Sequence, residues 1–271
     1  MLNNKADKGK QKFTLETYYN KHKEDLRLQR RHGMVEFRVS MKFIHDLLPN
    51  DNKADFKILD LGAATGNYTI PLYEEGYDVT AVELVKHNVD VLKSKNSNVK
   101  AFQGTATDLR FLPENSFDMV INFGPLYHLI KYEDRLKAMA EIKRVTKDDG
   151  VVLNAYVLND YSLLTYCFKE NRMSALVKSG AIDEDFHIHS AEDELYVYAR
   201  MEDLEKLNSD SKLERLFIFS PDGPSDFMRP VLNAMSDEDF EIFVQYQMKN
   251  ALRPELLGAG SHLVDVVKVH K

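Results

Sequence analysis

The stretch Lys57-Ile-Leu-Asp-Leu-Gly-Ala-Ala-Thr-Gly-Asn-Tyr-Thr69 decides the fold. It opens with a short apolar run, Ile58 to Leu61, that reads as a buried strand. A turn bounded by Gly62 and Gly66 follows, and then an amphipathic segment, so the turn lies between a strand and a helix. Gly62 lets the chain leave the strand sharply, and Gly66 lets the helix start close to a ligand. Backbone N–H groups at such a helix start can hold polar or anionic ligand atoms. A second strand, Tyr77-Asp-Val-Thr-Ala-Val-Glu83, ends in an acid twenty-one residues after Gly62. That is near the offset of about 20 at which an acid meets a ribose diol. Together these features point to an adenosine-containing ligand.

Outward from this motif, strands and helices alternate. Gly66 to Glu75 reads as the first crossover helix, Lys86 to Lys93 as the next, and Val99 to Gln103 as a third strand. Phe117 to Phe123 is a fourth strand and Tyr132 to Val145 a helix. Lys147-Asp-Asp-Gly150 is a turn and Val151 to Val157 a fifth strand. This alternation predicts a parallel sheet with helices on both faces. After Asn159 the regularity weakens. Tyr161 to Val177 reads as helical, Leu195 to Ala199 as a strand, Met201 to Leu207 as a short helix and Leu216 to Phe219 as a strand. Residues 226–252 are mostly helical, and His262 to Val269 alternates as a final strand. Upstream, residues 1–12 read as disordered. Leu15 to Arg31 has a helical pattern interrupted by Gly33, and a second helix runs from Met34 to Leu48.

A chain of 271 residues can bury one substantial core. The net charge of −7 gives no reason to expect nucleic acid as a partner. Residues 1–32 hold nine Lys/Arg and four Asp/Glu, so the rest of the chain is the more acidic for it. One cysteine, Cys167, excludes an intrachain disulfide and a cysteine-rich metal site. No apolar run approaches the roughly 18 residues of a membrane span, and the first residues lack the apolar core of a signal peptide. A cytoplasmic location is the expectation. His187 and His189 lie in an acidic stretch that reads as an exposed loop, so no metal is expected.

Two ligands compete for the motif, a dinucleotide and S-adenosylmethionine. The dinucleotide fingerprint is G-x-G-x-x-G. Here the spacing is Gly62-x-x-x-Gly66, with Asp60 two residues before the first glycine. This resembles motif I of the class I S-adenosylmethionine-dependent methyltransferases, acid-x-Gly-x-Gly-x-Gly, with Ala64 in place of the middle glycine. The loop Gly104-Thr-Ala-Thr-Asp-Leu109 resembles the family's adenine loop, with Thr105 where its aspartate stands. Asn122-Phe-Gly-Pro-Leu-Tyr-His-Leu129 is similar to the segment after strand four in many small-molecule members. The resemblance covers residues 34–157 well and 200–271 weakly. It implies an α/β fold with a doubly wound, mostly parallel seven-stranded sheet, an antiparallel last strand, helical cap insertions and N-terminal helices.

The same resemblance implies a division of the chain. Residues 1–50 would be a helical lid, 51–158 the cofactor-binding core, 159–199 a cap, and 200–271 the end of the core with a helical insertion at 224–258. The implied S-adenosyl-L-methionine contacts are Asp60, Gly62, Ala63, Ala64, Gly66, Asn67, Glu83 and Leu84, with Thr105, Ala106, Asn122, Phe123 and Gly124. Asp60 reads more as a loop organiser than as a direct contact. From the aromatics and cations of the N-terminal segment itself, Tyr19 would cover the sulfonium and Arg31 would meet the methionine carboxylate, with Gly33 as the hinge of the lid; the competing reading is a helix pair that packs permanently on the core and only stabilises it. His128, followed by Tyr127, is the candidate base, because ligands collect past the carboxyl ends of parallel strands.

The sequence lacks an Asn/Asp-Pro-Pro-aromatic motif after strand four, which argues against adenine amino methylation. Cys167 lies outside any Pro-Cys pair, which argues against cytosine carbon-5 methylation. Methyl transfer to O or N of a small molecule is therefore expected. An NAD-dependent oxidoreductase and a catalytically silent S-adenosylmethionine binder remain as alternatives. The acceptor and the oligomeric state are left open.

Overall fold

The computed structural model describes residues 30–271 together with Thr17 and Leu28. Seven strands form one sheet: β1 (Lys57–Leu61), β2 (Asp78–Glu83), β3 (Lys100–Gln103), β4 (Phe117–Asn122), β5 (Thr146–Val157), β6 (Leu213–Phe219) and β7 (His262–Val269). Their order across the sheet is β3-β2-β1-β4-β5-β7-β6. β1 through β5 pair in parallel, and β7 runs antiparallel to both β5 and β6. The expected mostly parallel sheet with an antiparallel last strand is present. A dinucleotide fold has the order 3-2-1-4-5-6, and the inserted antiparallel β7 departs from it.

The helices are α1 (Arg31–Leu47), α2 (Thr69–Glu74), α3 (Lys86–Lys95), α4 (Pro125–His128), α5 (Tyr132–Val145), α6 (Asn159–Ser162), α7 (Met173–Lys178), α8 (Met201–Ser211), α9 (Arg229–Ala234) and α10 (Asp237–Asn250). A π-helical stretch, Leu163–Phe168, continues α6. Successive strand residues point to opposite faces, and the core divides accordingly. Leu59, Val120 and Val152 face Met139 and Ile142 of α5 and Leu204 of α8. Ile58, Met119 and Leu153 face Val35 and Ile44 of α1, Leu72 of α2 and Val244 of α10. Each fully buried aliphatic side chain contributes about 1.5–3 kcal/mol of transfer free energy.

Several local expectations are corrected. The helix after the motif begins at Thr69, not Gly66, which sits in a turn at φ +90° against Leu92 and Ile70. Gly33 does not interrupt a helix; it is buried inside the first turn of α1. Lys147 to Gly150 is part of β5, which carries a left-handed Asp149 (φ +63°) and a register shift opposite Phe117–Met119. Leu195 to Ala199 forms no strand. Its Val197 N–H donates to the Tyr127 carbonyl (2.8 Å) and its Ala199 N–H to the Val157 carbonyl (2.9 Å), so the segment docks on α4 and the end of β5. The helical reading of Tyr161 to Val177 breaks at Lys169 to Arg172. Cys167 packs with Leu163 and Ile182. No helix among the described residues is long and apolar enough to cross a membrane.

Candidate functional site

A cavity of about 740 Å3 opens along the carboxyl edge of the parallel strands. One end is walled by Gly62 and Ala64 after β1, by Glu83 and Leu84 at the end of β2, and by Thr105 and Ala106 after β3. Gly62 has φ +79°, and a methyl built on it would lie 2.6 Å from Pro125 Cδ, so only glycine fits. Ala64 also adopts a left-handed backbone, φ +46°. The buried Glu83 carboxylate accepts the Ala64 N–H and the Val85 N–H, each at 2.8 Å. It thereby ties the motif loop to the end of β2.

Behind the loop, Asp60 is buried and its Oδ2 accepts the Thr69 hydroxyl at 2.5 Å. Burial pushes its carboxyl up to about 7; the Thr69 hydrogen bond opposes the rise and the nearby Glu83 charge adds to it. Asp60 does not line the cavity and instead fixes the start of α2.

The other end of the cavity is a chamber under residues 159–199. Phe123, Gly124, Tyr127 and His128 line it. The His128 ring sits 4.7 Å from that of Tyr127 and 5.1 Å from that of Tyr196, centroid to centroid. Its Nδ1 is 2.8 Å from the Leu195 carbonyl, which can only accept, so Nδ1 carries the hydrogen. Burial drives the His128 imidazole down to about 4, against a smaller opposing effect of the Leu195 bond. It is neutral at ordinary pH.

Tyr161 donates to Asp226, which also pairs with Arg229, and all three line the chamber. Burial raises the Tyr161 phenol, and the Asp226 hydrogen bond adds to the rise. At the far side, Asp222 holds His262: Nδ1 to Oδ2 is 2.9 Å. The Ser261 hydroxyl also donates to Asp222, and the Ser261 and His262 N–H groups do so at 3.2 and 3.3 Å.

The residues singled out from sequence thus fall into two groups. Ten line one cavity: Gly62, Ala64, Glu83, Leu84, Thr105, Ala106, Phe123, Gly124, Tyr127 and His128. Five others besides Asp60 do not. Ala63, Gly66 and Asn67 lie off the cavity wall. Asn122 is fully buried and donates to Asn154 Oδ1 at 2.7 Å within the sheet. The Arg31 guanidinium donates to the Leu232 and Met235 carbonyls and to Asp237, and lies over the Phe240 ring. It anchors α1 to α9 and α10. Tyr19 lies outside the described residues. His187 and His189 stack at 5.8 Å, His189 with Asp183 at 2.8 Å, and no three potential ligands converge on a metal among the described residues.

Residues 59–154 match the profile of the family described as a methyltransferase domain. An uncharacterized methyltransferase of Mycobacterium bovis is 36% identical over 94 residues, 35% of this chain and 37% of the relative. A demethylmenaquinone methyltransferase of Renibacterium salmoninarum is 36% identical over 100 residues, 36% of this chain and 40% of the relative. The chain spans well under half the length of these curated relatives. A solved S-adenosylmethionine-dependent methyltransferase from Methanosarcina mazei shares the fold, with a TM-score of 0.56 at 14% identity over 84% of this chain and 97% of that one.

Residues 59–154 are thus similar to a methyltransferase domain, and the fold is one that solved S-adenosylmethionine-dependent methyltransferases share. Within that stretch, the sequence marks the loop, Glu83 and the segment after β4. It does not mark Asp222 and His262, which stand in the sequence only as a turn residue and the first residue of a strand. The available signal is topological. β7 is antiparallel, so His262 pairs with Val157, the last residue of β5, and arrives at the ligand edge.

Proposed function

We propose that the chain transfers a methyl group from S-adenosylmethionine to an O or N atom of a small molecule held beneath residues 159–199. One observation carries this reading: the same cavity runs from Glu83 and Gly62 to Tyr127 and His262, so a nucleotide bound at one end would meet an acceptor bound at the other. Its volume of about 740 Å3 lies within the roughly 300–1,000 Å3 of small-molecule sites. The net charge of −7 disfavours a nucleic-acid acceptor. The relative that acts on demethylmenaquinone supports a small-molecule acceptor class without fixing its identity here.

Bound S-adenosylmethionine supplies an electrophilic methyl group on a sulfonium. The chain's own groups fit such a ligand. Glu83 would accept from the ribose hydroxyls, Leu84 and Ala106 would flank the base, and the Gly62–Ala64 loop would hold the amino-acid end. The Tyr127 ring and Phe123 would close the sulfonium off from water. Holding nucleophile, methyl and sulfur in line supplies much of the rate.

The test is calorimetry with S-adenosylhomocysteine and with NAD, followed by mass spectrometry of any nucleotide that copurifies. Binding of S-adenosylhomocysteine without NAD binding is expected. Tight NAD binding with none of S-adenosylhomocysteine would end this reading.

A further inference from the structure

We propose that a second cavity, behind the acceptor chamber, binds a small monocarboxylate, with Arg135 holding the carboxylate and an apolar wall holding the body of the ligand. The site is separate from the nucleotide end of the first cavity, so it stands or falls apart from the methyltransferase reading.

The second cavity, of about 230 Å3, lies between α4, α5, α8 and the end of β5. Its volume is below the roughly 300–1,000 Å3 of drug-sized ligand sites, so its occupant is small. Arg135 of α5 lines it and is half-buried. The guanidinium lies over the Tyr132 ring, 5.3 Å from its centroid. Its buried Nε has no hydrogen-bond partner, and it makes no ion pair among the described residues. Burial pulls the guanidinium below its ordinary range, and the Asp203 charge is the largest effect opposing that fall. Asp203 is engaged elsewhere: its Oδ2 accepts the Arg200 N–H at 2.8 Å and lies 3.4 Å from His187 Nε2. Lys206, 4.5 Å from the same Tyr132 ring, is paired with Asp210. Tyr156 of β5 also lines the cavity, and its buried hydroxyl has no hydrogen-bond partner among the described residues. Buried polar groups are seldom left in that state.

A half-buried guanidinium without a carboxylate partner calls for an anion, which offsets the loss of water around the charge. The planar fork of arginine fits a carboxylate with two parallel N–H···O bonds. The rest of the wall decides what the carboxylate is attached to. Leu126, Val197, Ala199 and Leu207 face the same space. The further oxygens of a phosphate would lie unbonded against that surface, which is costly. A second carboxylate would meet either the apolar wall or the like charge of Asp203. An apolar body gains by leaving water there. A small monocarboxylate with a compact apolar body satisfies both halves of the wall.

The test adds benzoate to the full chain and follows the methyl resonances of Leu126, Val197 and Leu207, with calorimetry for the affinity. Benzoate is expected to shift all three, while neutral benzamide and inorganic phosphate leave them in place. Two kinds of variant then locate the ligand. Arg135→Leu is expected to weaken benzoate binding at least tenfold in a chain that still unfolds cooperatively. Arg135→Lys, which keeps the charge and loses the fork, should fall between it and the wild type. Val197→Phe fills the cavity instead. Tyr196 and Tyr198 line the acceptor chamber whereas Val197 and Ala199 line the second cavity, so the added ring does not enter the first. This variant is expected to abolish the benzoate response with Arg135 still in place, and to leave S-adenosylhomocysteine affinity as in the wild type. Methyl resonances unmoved by millimolar benzoate overturn the proposal. So does an equal response to benzamide or phosphate, or wild-type benzoate affinity in Arg135→Leu or in Val197→Phe.

Discussion

A methyl group placed on Gly62 would lie 2.6 Å from Pro125 Cδ, closer than carbon atoms approach. Gly62 leaves β1 and Pro125 opens α4 after β4, so this contact joins the motif loop to the acceptor chamber. Gly62 also holds φ +79°, which an L side chain resists. Gly62→Ala should therefore combine backbone strain of about 1–2 kcal/mol with overpacking of about 1–3 kcal/mol. The expected result is a lower denaturation midpoint together with at least tenfold weaker S-adenosylhomocysteine binding. A variant with wild-type midpoint and affinity would show that the loop tolerates displacement from Pro125.

Ala64 sits in the left-handed region at φ +46°. This explains why the related motif favours glycine there, and it sets what Ala64→Gly should do. Relief of the left-handed strain is worth about 1–2 kcal/mol, against about 0.4–1 kcal/mol of extra chain entropy in the unfolded state. A net gain of about 1 kcal/mol in stability is expected from chemical denaturation, with the 2.8 Å bond from the Ala64 N–H to Glu83 retained. Loss of stability would mean that the alanine methyl makes compensating contacts.

Glu83 uses its two carboxylate oxygens on two backbone N–H groups, those of Ala64 and Val85. Glutamine offers one acceptor oxygen, so Glu83→Gln must give up one of them, and Glu83→Ala gives up both. Hydrogen bonds to a charged group are worth about 1.5–3 kcal/mol. Calorimetry should find S-adenosylhomocysteine binding weakened in the order wild type, Gln, Ala, with the alanine variant down by at least tenfold. Equal affinity in all three would remove Glu83 from the nucleotide site and leave it a loop clamp.

How far the sequence foretells this arrangement depends on whether a feature is local. α5 and β7 coincide with the expected Tyr132 to Val145 and His262 to Val269, because α5 buries one apolar face and β7 packs into the core on both faces, with Leu263 and Val267 on one side and Val264 and Val266 on the other. Leu195 to Ala199 carries a strand-like composition, yet its Val197 N–H goes to Tyr127 of α4 and only Ala199 bridges to the end of β5, a choice made by tertiary docking. Gly33 reads as a helix breaker in isolation, but it lies buried in α1, whose Val35, Val39 and Ile44 pack into the core. The hinge of the expected lid therefore cannot be Gly33 without unwinding α1, whose Arg38 is also tied to Glu241. Asp222 and His262 are illegible for a different reason. They are forty residues apart and meet only because β6 ends, and β7 begins, at the same edge of the sheet.

The two buried titrating groups, Asp60 and His128, predict opposite responses to pH. The His128 imidazole is held down at about 4, below the ordinary 6.5. The unfolded chain therefore binds a proton at this position that the folded chain refuses, and stability falls as pH drops from 6.5 toward 4. Asp60 is raised from 3.8 to about 7. The folded chain keeps that proton after the unfolded chain has released it, so stability falls as pH rises from about 4 to 7. The contributions are on the order of 3 and 4 kcal/mol, at about 1.4 kcal/mol for each tenfold change in proton affinity. They largely offset each other in the wild type across that window. Single variants separate them. Asp60→Asn, which keeps an acceptor for the Thr69 hydroxyl, should gain stability over the wild type progressively as pH rises from 4 to 7. His128→Asn should instead compare best with the wild type at pH 4 and lose that advantage by pH 6.5. Denaturant titrations at half-unit pH intervals measure both differences, and a difference that stays flat with pH in either variant would show that the residue titrates as it does in the unfolded chain.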